Sequence, residues 1–455
     1  MSIFGVFGVT HASQLIYYGL HALQHRGQEA AGIITFDEDG DSWQHRGLGL
    51  VSEVFNQQSL EKMPGSMGIG NVRYANIKKG GTANIPPQFF RQSKGDFAIA
   101  GDGCLVNSDM IAQYLESKGT LFQSGSDSEL LAHLIKKDNN KDRIFRIIDA
   151  LNMMEGGFAF LIMTKNRIYA CRDKYGIKPL ALGKLGDGYV IASESCAFDL
   201  IGAEFLRDVE PGEIVTIDQH GLRTRKYSKF QKYKLCSMEY IYYARPDSDI
   251  DGCNVHAYRK ESGRRLFREC PAEADIVVGV PDSSLSAAMG YAEESGLPYE
   301  MGLIKNKYVG RTFIQPSQDM REKGVKMKLS AIRTIVSGKR IVLVDDSIVR
   351  GTTSLKIIKL LRDAGATEVH VRIASPMMTH PCYYGVDTST FEELLCSKRT
   401  LEQAREKIGA DSLGYLSPES TVKSCPGRTE LCLACFTGEY PTALYKHEIN
   451  KEDEE

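Results

Sequence analysis

The stretch Ile341-Val342-Leu343-Val344-Asp345-Asp346-Ser347-Ile348-Val349-Arg350-Gly351-Thr352-Thr353-Ser354 carries the clearest chemistry in the sequence. Its first four residues read as a buried strand, so the two carboxylates fall just past a strand's C-terminal end, where open α/β sheets bind ligands. Gly351-Thr352-Thr353-Ser354 then opens a helix. The N–H groups of a helix N-terminus plus three hydroxyls suit a phosphate monoester, whereas adjacent carboxylates accept from neighbouring ribose hydroxyls or hold a divalent ion. A polyphosphorylated sugar satisfies both halves. The plainer explanation is a capped helix with acids as N-terminal charge, but two acids followed by Gly-Thr-Thr-Ser exceed what capping requires. No Gly-Lys-Ser/Thr follows a glycine in this stretch, so it is not a P-loop.

A second pattern is Cys432-Leu433-Ala434-Cys435. Its spacing is compatible with half a zinc site, half an iron–sulfur site, a redox pair or two packed thiols. The chain has no second such pair, so any four-thiolate site must recruit distant single cysteines.

These residues need elements to position them. After about residue 230 the rhythm is strand, turn, helix, strand: Asp275–Val280 before a helix through Glu294, Arg340–Val344 before a helix over Thr353–Ala364, then a strand at Glu368–Ile373. Continuous β-branched runs between helices predict a parallel sheet covered on both faces. The first half reads differently. Short β-rich runs at Gly32–Phe36, Gly68–Tyr74, Phe97–Ala100, Phe158–Met163 and Arg167–Cys171, with helical spacing over Ser13–Gln24 and Ser128–Lys137, predict antiparallel sheet with helices outside. Ser126-Asp127 reads as the N-cap of the second helix. The boundary is placed near residue 230, giving domains 1–229 and 230–455, and the polar end Asn450–Glu455 reads as a frayed tail.

Composition narrows the setting. At 455 residues the chain has room for two or three domains. Lys plus Arg is 56 and Asp plus Glu is 58, a net charge of −2, which gives no concentrated positive field for nucleic acid or a membrane surface. The longest apolar stretch, around Phe158–Met163, is far below the roughly 20 residues of a membrane helix. Eleven cysteines in so long a chain, without a charged-then-apolar opening segment, predict a reduced, cytoplasmic protein.

The Asp345–Ser354 loop resembles that of the type I phosphoribosyltransferases, which use 5-phosphoribosyl-1-pyrophosphate (PRPP). Gly279-Val280-Pro281-Asp282-Ser283-Ser284 is similar to that family's pyrophosphate loop, and Lys305–Pro316 to its mobile active-site loop. Over nearly the whole chain, including Leu23–Glu29, Cys236–Tyr242 and Arg245–Ser248, the resemblance is to the glutamine PRPP amidotransferases of purine synthesis. It implies an α+β N-terminal-nucleophile hydrolase-like four-layer αββα domain followed by an α/β type I phosphoribosyltransferase domain. It further implies that Asp345, Asp346 and Ser347 bind the ribose side, and that Asp345 and Asp346 hold Mg2+ with Ser283. Gly351, Thr352, Thr353 and Ser354 would hold the 5-phosphate, Asp282 and Ser283 the pyrophosphate, and Lys305, Arg311 and Lys326 would close over it. Cys236 and Cys382 match the single ligands of the family's iron–sulfur form, so the implied 4Fe-4S set is Cys236, Cys382, Cys432 and Cys435. Cys425 and the other cysteines read as packing residues.

The N-terminal half resembles the N-terminal-nucleophile glutamine amidotransferase domain, with departures. That family's catalytic Cys attacks the glutamine amide with its own α-amine as base. Here Met1 stands at that position, and a thioether cannot form the acyl intermediate. Ser2, exposed as a terminus by loss of Met1, would be displaced by about 3.3 Å along an extended chain. Where the family has His-Asn-Gly-Asn, this chain has Gly101-Asp102-Gly103-Cys104, which puts a carboxylate where an oxyanion donor belongs. Asn71 and Asn76 replace a His and a Thr. Arg73 and Asp127 keep the positions that take the glutamine carboxylate and amine.

The expectation is therefore an enzyme that makes 5-phosphoribosylamine and pyrophosphate from PRPP with ammonia, its glutaminase site degenerate. Purine nucleotides are expected as inhibitors, with the chain a homo-tetramer or the partner of a true amidotransferase. Two alternatives stand beside it: a non-catalytic PRPP or nucleotide-binding regulator, and residual glutamine use through Ser2.

Overall fold

The computed structural model describes residues 1–74, 82–93, 95–136, 141–228, 232–306, 329–388 and 390–445. The boundary expected near residue 230, most of the Lys305–Pro316 loop with Arg311, Lys326, Asn76 and the 450–455 tail lie outside the described residues.

Two antiparallel sheets form the N-terminal half. The first has seven strands in the order Glu204–Asp208, Ala181–Leu185, Gly188–Ala192, Ser2–Phe7, Met67–Arg73, Ala30–Phe36 and Ser42–Leu48. The second has six: Gly221–Lys226, Glu213–Asp218, Arg167–Arg172, Gly156–Thr164, Phe97–Leu105 and Gln88–Phe90. Strand alternation sends Ile3, Ile69 and Ile34 of one sheet against Ala98, Leu161 and Ala170 of the other, a dry layer between the sheets. The opposite face of the first sheet buries Phe4 and Val6 under Ile16 and Leu20 of the helix Ala12–Ala22. That of the second buries Phe158 and Phe160 under Leu131, Ile135 and Ile147 of the helices Asp127–Lys136 and Arg143–Met153. Helix, sheet, sheet, helix is the expected αββα arrangement.

The strand predicted at Phe97–Ala100 runs on to Leu105 because it pairs with Gly156–Thr164 along its whole length. The helix predicted over Ser13–Gln24 ends at Ala22, and a single 3-10 turn at Gln24–Arg26 follows, swinging Arg26 into the interior. Ser126 caps the Asp127–Lys136 helix through its hydroxyl, which accepts from the Glu129 N–H at 3.2 Å. The Asp127 carboxylate accepts from the Leu105 N–H at 3.0 Å.

In the C-terminal half the strands Ile276–Gly279, Arg340–Asp345, Glu368–Ile373 and Ser412–Tyr415 form one parallel sheet. The helices Thr352–Asp363 and Leu401–Ile408 cover one face through Ile357, Leu361 and Ala404. Leu285–Ser295 and Val255–Glu269 cover the other through Ala288, Tyr291 and Leu266. The last two pack so closely that a Cβ on Gly263 would lie 1.9 Å from the Ala287 carbonyl oxygen. Among the described residues no helix is long and apolar enough to cross a membrane.

Candidate functional site

Two strand ends of the parallel sheet build the first centre. Gly279 pairs with Val344, so the Pro281–Ser284 turn and the Asp345–Gly351 loop leave the sheet side by side. Ser284 donates to Asp345 at 2.9 Å, Ser347 donates to Asp346 at 2.6 Å, and the Ser283 hydroxyl donates to the other Asp346 oxygen. The acid pair is thus held by three hydroxyls from two loops. Withdrawal from water pushes both carboxyls up, and for Asp345 the Asp346 charge adds to it. Such crowding favours a retained proton, a cation or a donor-rich ligand between them.

Gly351 has φ 74, a left-handed conformation that glycine takes without penalty, and it turns the chain into the helix that starts at Thr352. Thr352 and Thr353 are exposed at this N-terminus and Ser354 is buried. The N–H groups of that first turn have no intrahelical acceptor, so the geometry suits an anion. Across the cleft mouth Lys305 pairs with Asp282 at 2.7 Å, both exposed. Ser284 falls in the stretch read from sequence as the pyrophosphate loop, where it was given no role of its own. The sequence reading missed Arg259, which is buried, donates to the Tyr240 and Ala244 carbonyls at 2.7 and 2.8 Å, and turns its charge toward Asp346.

The second centre lies at the start of the Ser2–Phe7 strand. The Met1 α-amine is 3.8 Å from Asp102, whose side chain is 2% exposed. Lys178 and Arg26 stand 3.9 and 3.7 Å from the same carboxylate. Arg26 also pairs with Glu194 at 2.6 Å and Glu239 at 2.8 Å, and Lys178 reaches Glu239 at 3.7 Å. Burial alone would raise the Asp102 carboxyl, but Lys178, the α-amine and Arg26 together hold it below its ordinary value, so it stays ionised. Burial lowers the α-amine from 8.0 to about 6, against the pull of Asp102. None of Arg26, Lys178, Glu194 and Glu239 was singled out from sequence, because they meet only in three dimensions. The available signal was a lysine inside the apolar run Ile177-Lys178-Pro179-Leu180.

Asn71 sits beside this network, donating to the Ser2 carbonyl at 2.7 Å and accepting from the Gly101 N–H at 3.1 Å. The Ser2 hydroxyl is buried and makes no hydrogen bond. Arg73 donates to the Asn84 carbonyl, and the Asn84 side chain accepts from the Gly125 N–H at 3.1 Å, two residues before Asp127. Arg73 and Asp127 are thus tied to one loop.

The third centre gathers the four cysteines in one buried cluster. Cys236 and Cys432 lie opposite each other in a parallel bridge, with Cys432 N–H donating to Leu235 at 2.8 Å. The Cys435 carbonyl accepts from the N–H groups of Thr379 and His380 at 3.1 Å each, which brings in the Cys382 loop. The Tyr384 N–H donates to the Cys382 sulfur at 3.4 Å. Burial pushes all four thiols up, Cys432 to about 12, and the charges of neighbouring members add to it at Cys236, Cys432 and Cys435. All eleven cysteines are free. Among the described residues no group of three or more His, Cys, Asp or Glu forms a ready-made metal site. Cys425, seven residues before Cys432, and Cys253 are buried in the same hydrophobic cluster.

Comparison with known proteins bears on both halves of the chain. Residues 83–199 match a glutamine amidotransferase domain and 261–400 a phosphoribosyl transferase domain. The chain is 52% identical over 453 residues to the amidophosphoribosyltransferase of Bacillus subtilis (strain 168), covering 98% of this chain and 95% of that one. It is 48% identical over 455 residues to the amidophosphoribosyltransferase of Staphylococcus aureus (strain Mu50), covering 98% and 92%. The structure of glutamine PRPP amidotransferase from B. subtilis complexed with ADP and GMP superposes with a TM-score of 0.93 at 52% identity, over 98% of both chains. A structure described as the allosteric regulatory enzyme of purine biosynthesis gives 0.94 at 52% identity, over 98% and 97%. With two domains matched in order, a shared fold over nearly the full length and half the residues identical, the chain belongs to the amidophosphoribosyltransferase family of phosphoribosyl-transferring enzymes.

Proposed function

We propose that this chain forms 5-phosphoribosylamine and pyrophosphate from PRPP with ammonia, rather than glutamine, as nitrogen donor. The observation that carries the reading is an acid pair and a helix start suited to phosphate in one half, beside a buried, ionised Asp102 in the other where an oxyanion donor is expected. Residues 1–229 act as the amidotransferase-like domain and 230–455 as the transferase domain.

Asp345, Asp346 and Ser347 take the ribose hydroxyls, the Gly351–Ser354 turn takes the 5-phosphate, and Asp282 and Ser283 orient the pyrophosphate. The crowded carboxylates of Asp345 and Asp346 beside Ser283 fit Mg2+, which when bound would neutralise charge on the departing pyrophosphate. Lys305, with Arg311 and Lys326 in the same stretch of sequence, adds positive charge at that end and excludes water. Ser283, Ser284 and Ser347 fix the carboxylates so that they need not reorganise when a ligand arrives.

In the N-terminal half, Asp102 is acceptor-only and ionised where a tetrahedral oxyanion would need a donor, so the pocket opposes amide hydrolysis electrostatically. Arg73 and Asp127 retain charge partners for an amino acid, which supports glutamine binding without turnover. Cys236, Cys382, Cys432 and Cys435 fit a 4Fe-4S cluster: none is tied in a disulfide, three are buried with Cys382 partly buried beside them, and a backbone N–H points at the Cys382 sulfur. Such a cluster would supply folding energy that ties the C-terminal segment to the middle of the chain. The ADP and GMP in the B. subtilis relative support purine nucleotides as inhibitors, and a homo-tetramer is the assembly proposed.

The test is pyrophosphate release from anaerobically reconstituted protein given PRPP, Mg2+ and either ammonium or glutamine. Release with ammonium and no glutamate from glutamine are expected. No release under ammonium overturns the transferase reading and leaves a ligand-binding regulator. Glutamate production that disappears in Ser2→Ala overturns the choice of donor.

A further inference from the structure

The loop that leads from the acid pair into the helix Thr352–Asp363 is braced from behind by a turn over residues 391–397. Three consecutive loop residues meet that turn. The Leu395 N–H donates to the Val349 carbonyl at 2.7 Å, Glu393 pairs with the Arg350 guanidinium at 3.0 Å, and Leu395 packs on Gly351 so closely that a Cβ there would lie 3.0 Å from its side chain. The brace is tied within itself. The Ser397 hydroxyl bridges the Phe391 and Leu394 carbonyls at 2.7 and 3.0 Å, the Leu394 N–H donates to the Phe391 carbonyl at 3.1 Å, and Arg399 donates to the Leu395 carbonyl at 3.3 Å. Leu394 and Leu395 are each 1% exposed but enter different cores: Leu394 joins the cluster around Cys236, Cys432 and Cys435, Leu395 the one under the parallel sheet. The loop divides in the same way, with Ile348 in the sheet core and Val349 packed on the other cluster.

We propose that Glu393 is a positioning residue for PRPP turnover: it fixes Arg350, and through Arg350 the Val349-Arg350-Gly351 backbone, so that the first-turn N–H groups of the following helix stay aimed at the 5-phosphate. The inference rests on the reading of residues 351–354 as the 5-phosphate site. Gly351 is the weak point of the loop, because its left-handed φ of 74 is held by no side chain of its own and glycine leaves such a conformation readily. The helix start inherits any rotation there, and misplacing a bound group by about 1 Å is costly. Leu395 holds the residues on either side of Arg350, one by a backbone bond and one by packing. Arg350 itself is half exposed, and the Glu393 carboxylate ties it down. An exposed ion pair contributes little to global stability, so removing Glu393 leaves the fold in place and acts on the loop. Glu393 acts at the phosphate end, remote from the bond that breaks, so its loss appears in PRPP binding rather than in the chemical step.

Steady-state kinetics of the full-length protein with PRPP, Mg2+ and ammonium test this. Glu393→Ala should raise the PRPP KM about fivefold and leave kcat within about twofold. Glu393→Gln keeps an acceptor for Arg350 and should hold KM within about twofold of the wild type. Arg350→Ala and the double variant Arg350→Ala/Glu393→Ala should share one KM, since Glu393 acts only through Arg350. Ribose 5-phosphate as a competitive inhibitor should weaken in Glu393→Ala by the same factor as PRPP, and inorganic pyrophosphate should not, which locates the effect at the phosphate end. Melting temperatures within about 3 °C of the wild type keep folding out of the comparison. An unchanged KM in Glu393→Ala, a Gln variant as poor as the Ala variant, equal weakening of both inhibitors, or a double variant worse than Arg350→Ala overturns the positioning role while turnover persists. A wild type that shows no turnover at all overturns instead the transferase reading beneath it.

Discussion

The Met1 α-amine and the Asp102 carboxylate lie 3.8 Å apart, inside a shell that also holds Arg26 and Lys178. Burial favours the neutral amine, and Asp102 only partly offsets it, which leaves the amine at about 6. Labelling the α-amine with an acylating reagent across pH 5–9 should therefore give a midpoint near 6 instead of near 8. Asp102→Asn removes the favourable charge and moves the midpoint lower still; a midpoint near 8 in the wild type would contradict this account.

Asp345→Asn is expected to reduce PRPP turnover by about 10²- to 10³-fold, the size of losing one preorganised electrostatic partner. The same change should stabilise the ligand-free protein. Asp345 titrates above its unfolded value, so the folded state binds more protons than the unfolded chain, and stability falls as pH rises from about 4 toward the folded midpoint. A melting scan at pH 8 should thus find the variant higher than the wild type, with the difference vanishing near pH 4.

Arg26 is buried among carboxylates, so Arg26→Met removes the cation that Glu194 and Glu239 share and leaves them only His25 and the more distant Lys178. Loss of one partner of a buried pair costs about 3–5 kcal/mol. Urea unfolding should show a decrease of that order, against less than about 1 kcal/mol for Lys423→Met, whose partner Glu419 is on the surface.

For the cysteine set, iron and acid-labile sulfide should be present in equal amounts in anaerobically prepared protein. Cys435→Ser should lose both and shift the C-terminal segment toward proteolysis. Cys396→Ser, whose thiol faces Tyr415 at 3.5 Å away from the set, should keep both.

How much was legible in sequence followed from how local each feature is. The Asp345–Ser354 loop was readable because strand end, acids, glycine and hydroxyls occupy consecutive positions, and the backbone alone fixes their relation. The four-layer N-terminal half was readable as class but not in detail: the Phe97–Leu105 strand outruns its apolar stretch because pairing with Gly156–Thr164, not composition, sets its length. Least legible was the charge network. Arg26, Asp102, Lys178, Glu194 and Glu239 come from five separate segments, each ordinary in isolation, and only the packing of both halves brings them within 4 Å of one another's partners.

Arg26 grips Glu194 on one side and Glu239 on the other, and these two acids belong to different halves of the chain. The N-terminal half is therefore not a detachable module. A gene that dropped it would leave Glu239 without its counter-ion and Asp251 without Arg172, so the transferase half could not inherit its own interior intact. The N-terminal half is thus indispensable as scaffolding, whatever chemistry it carries.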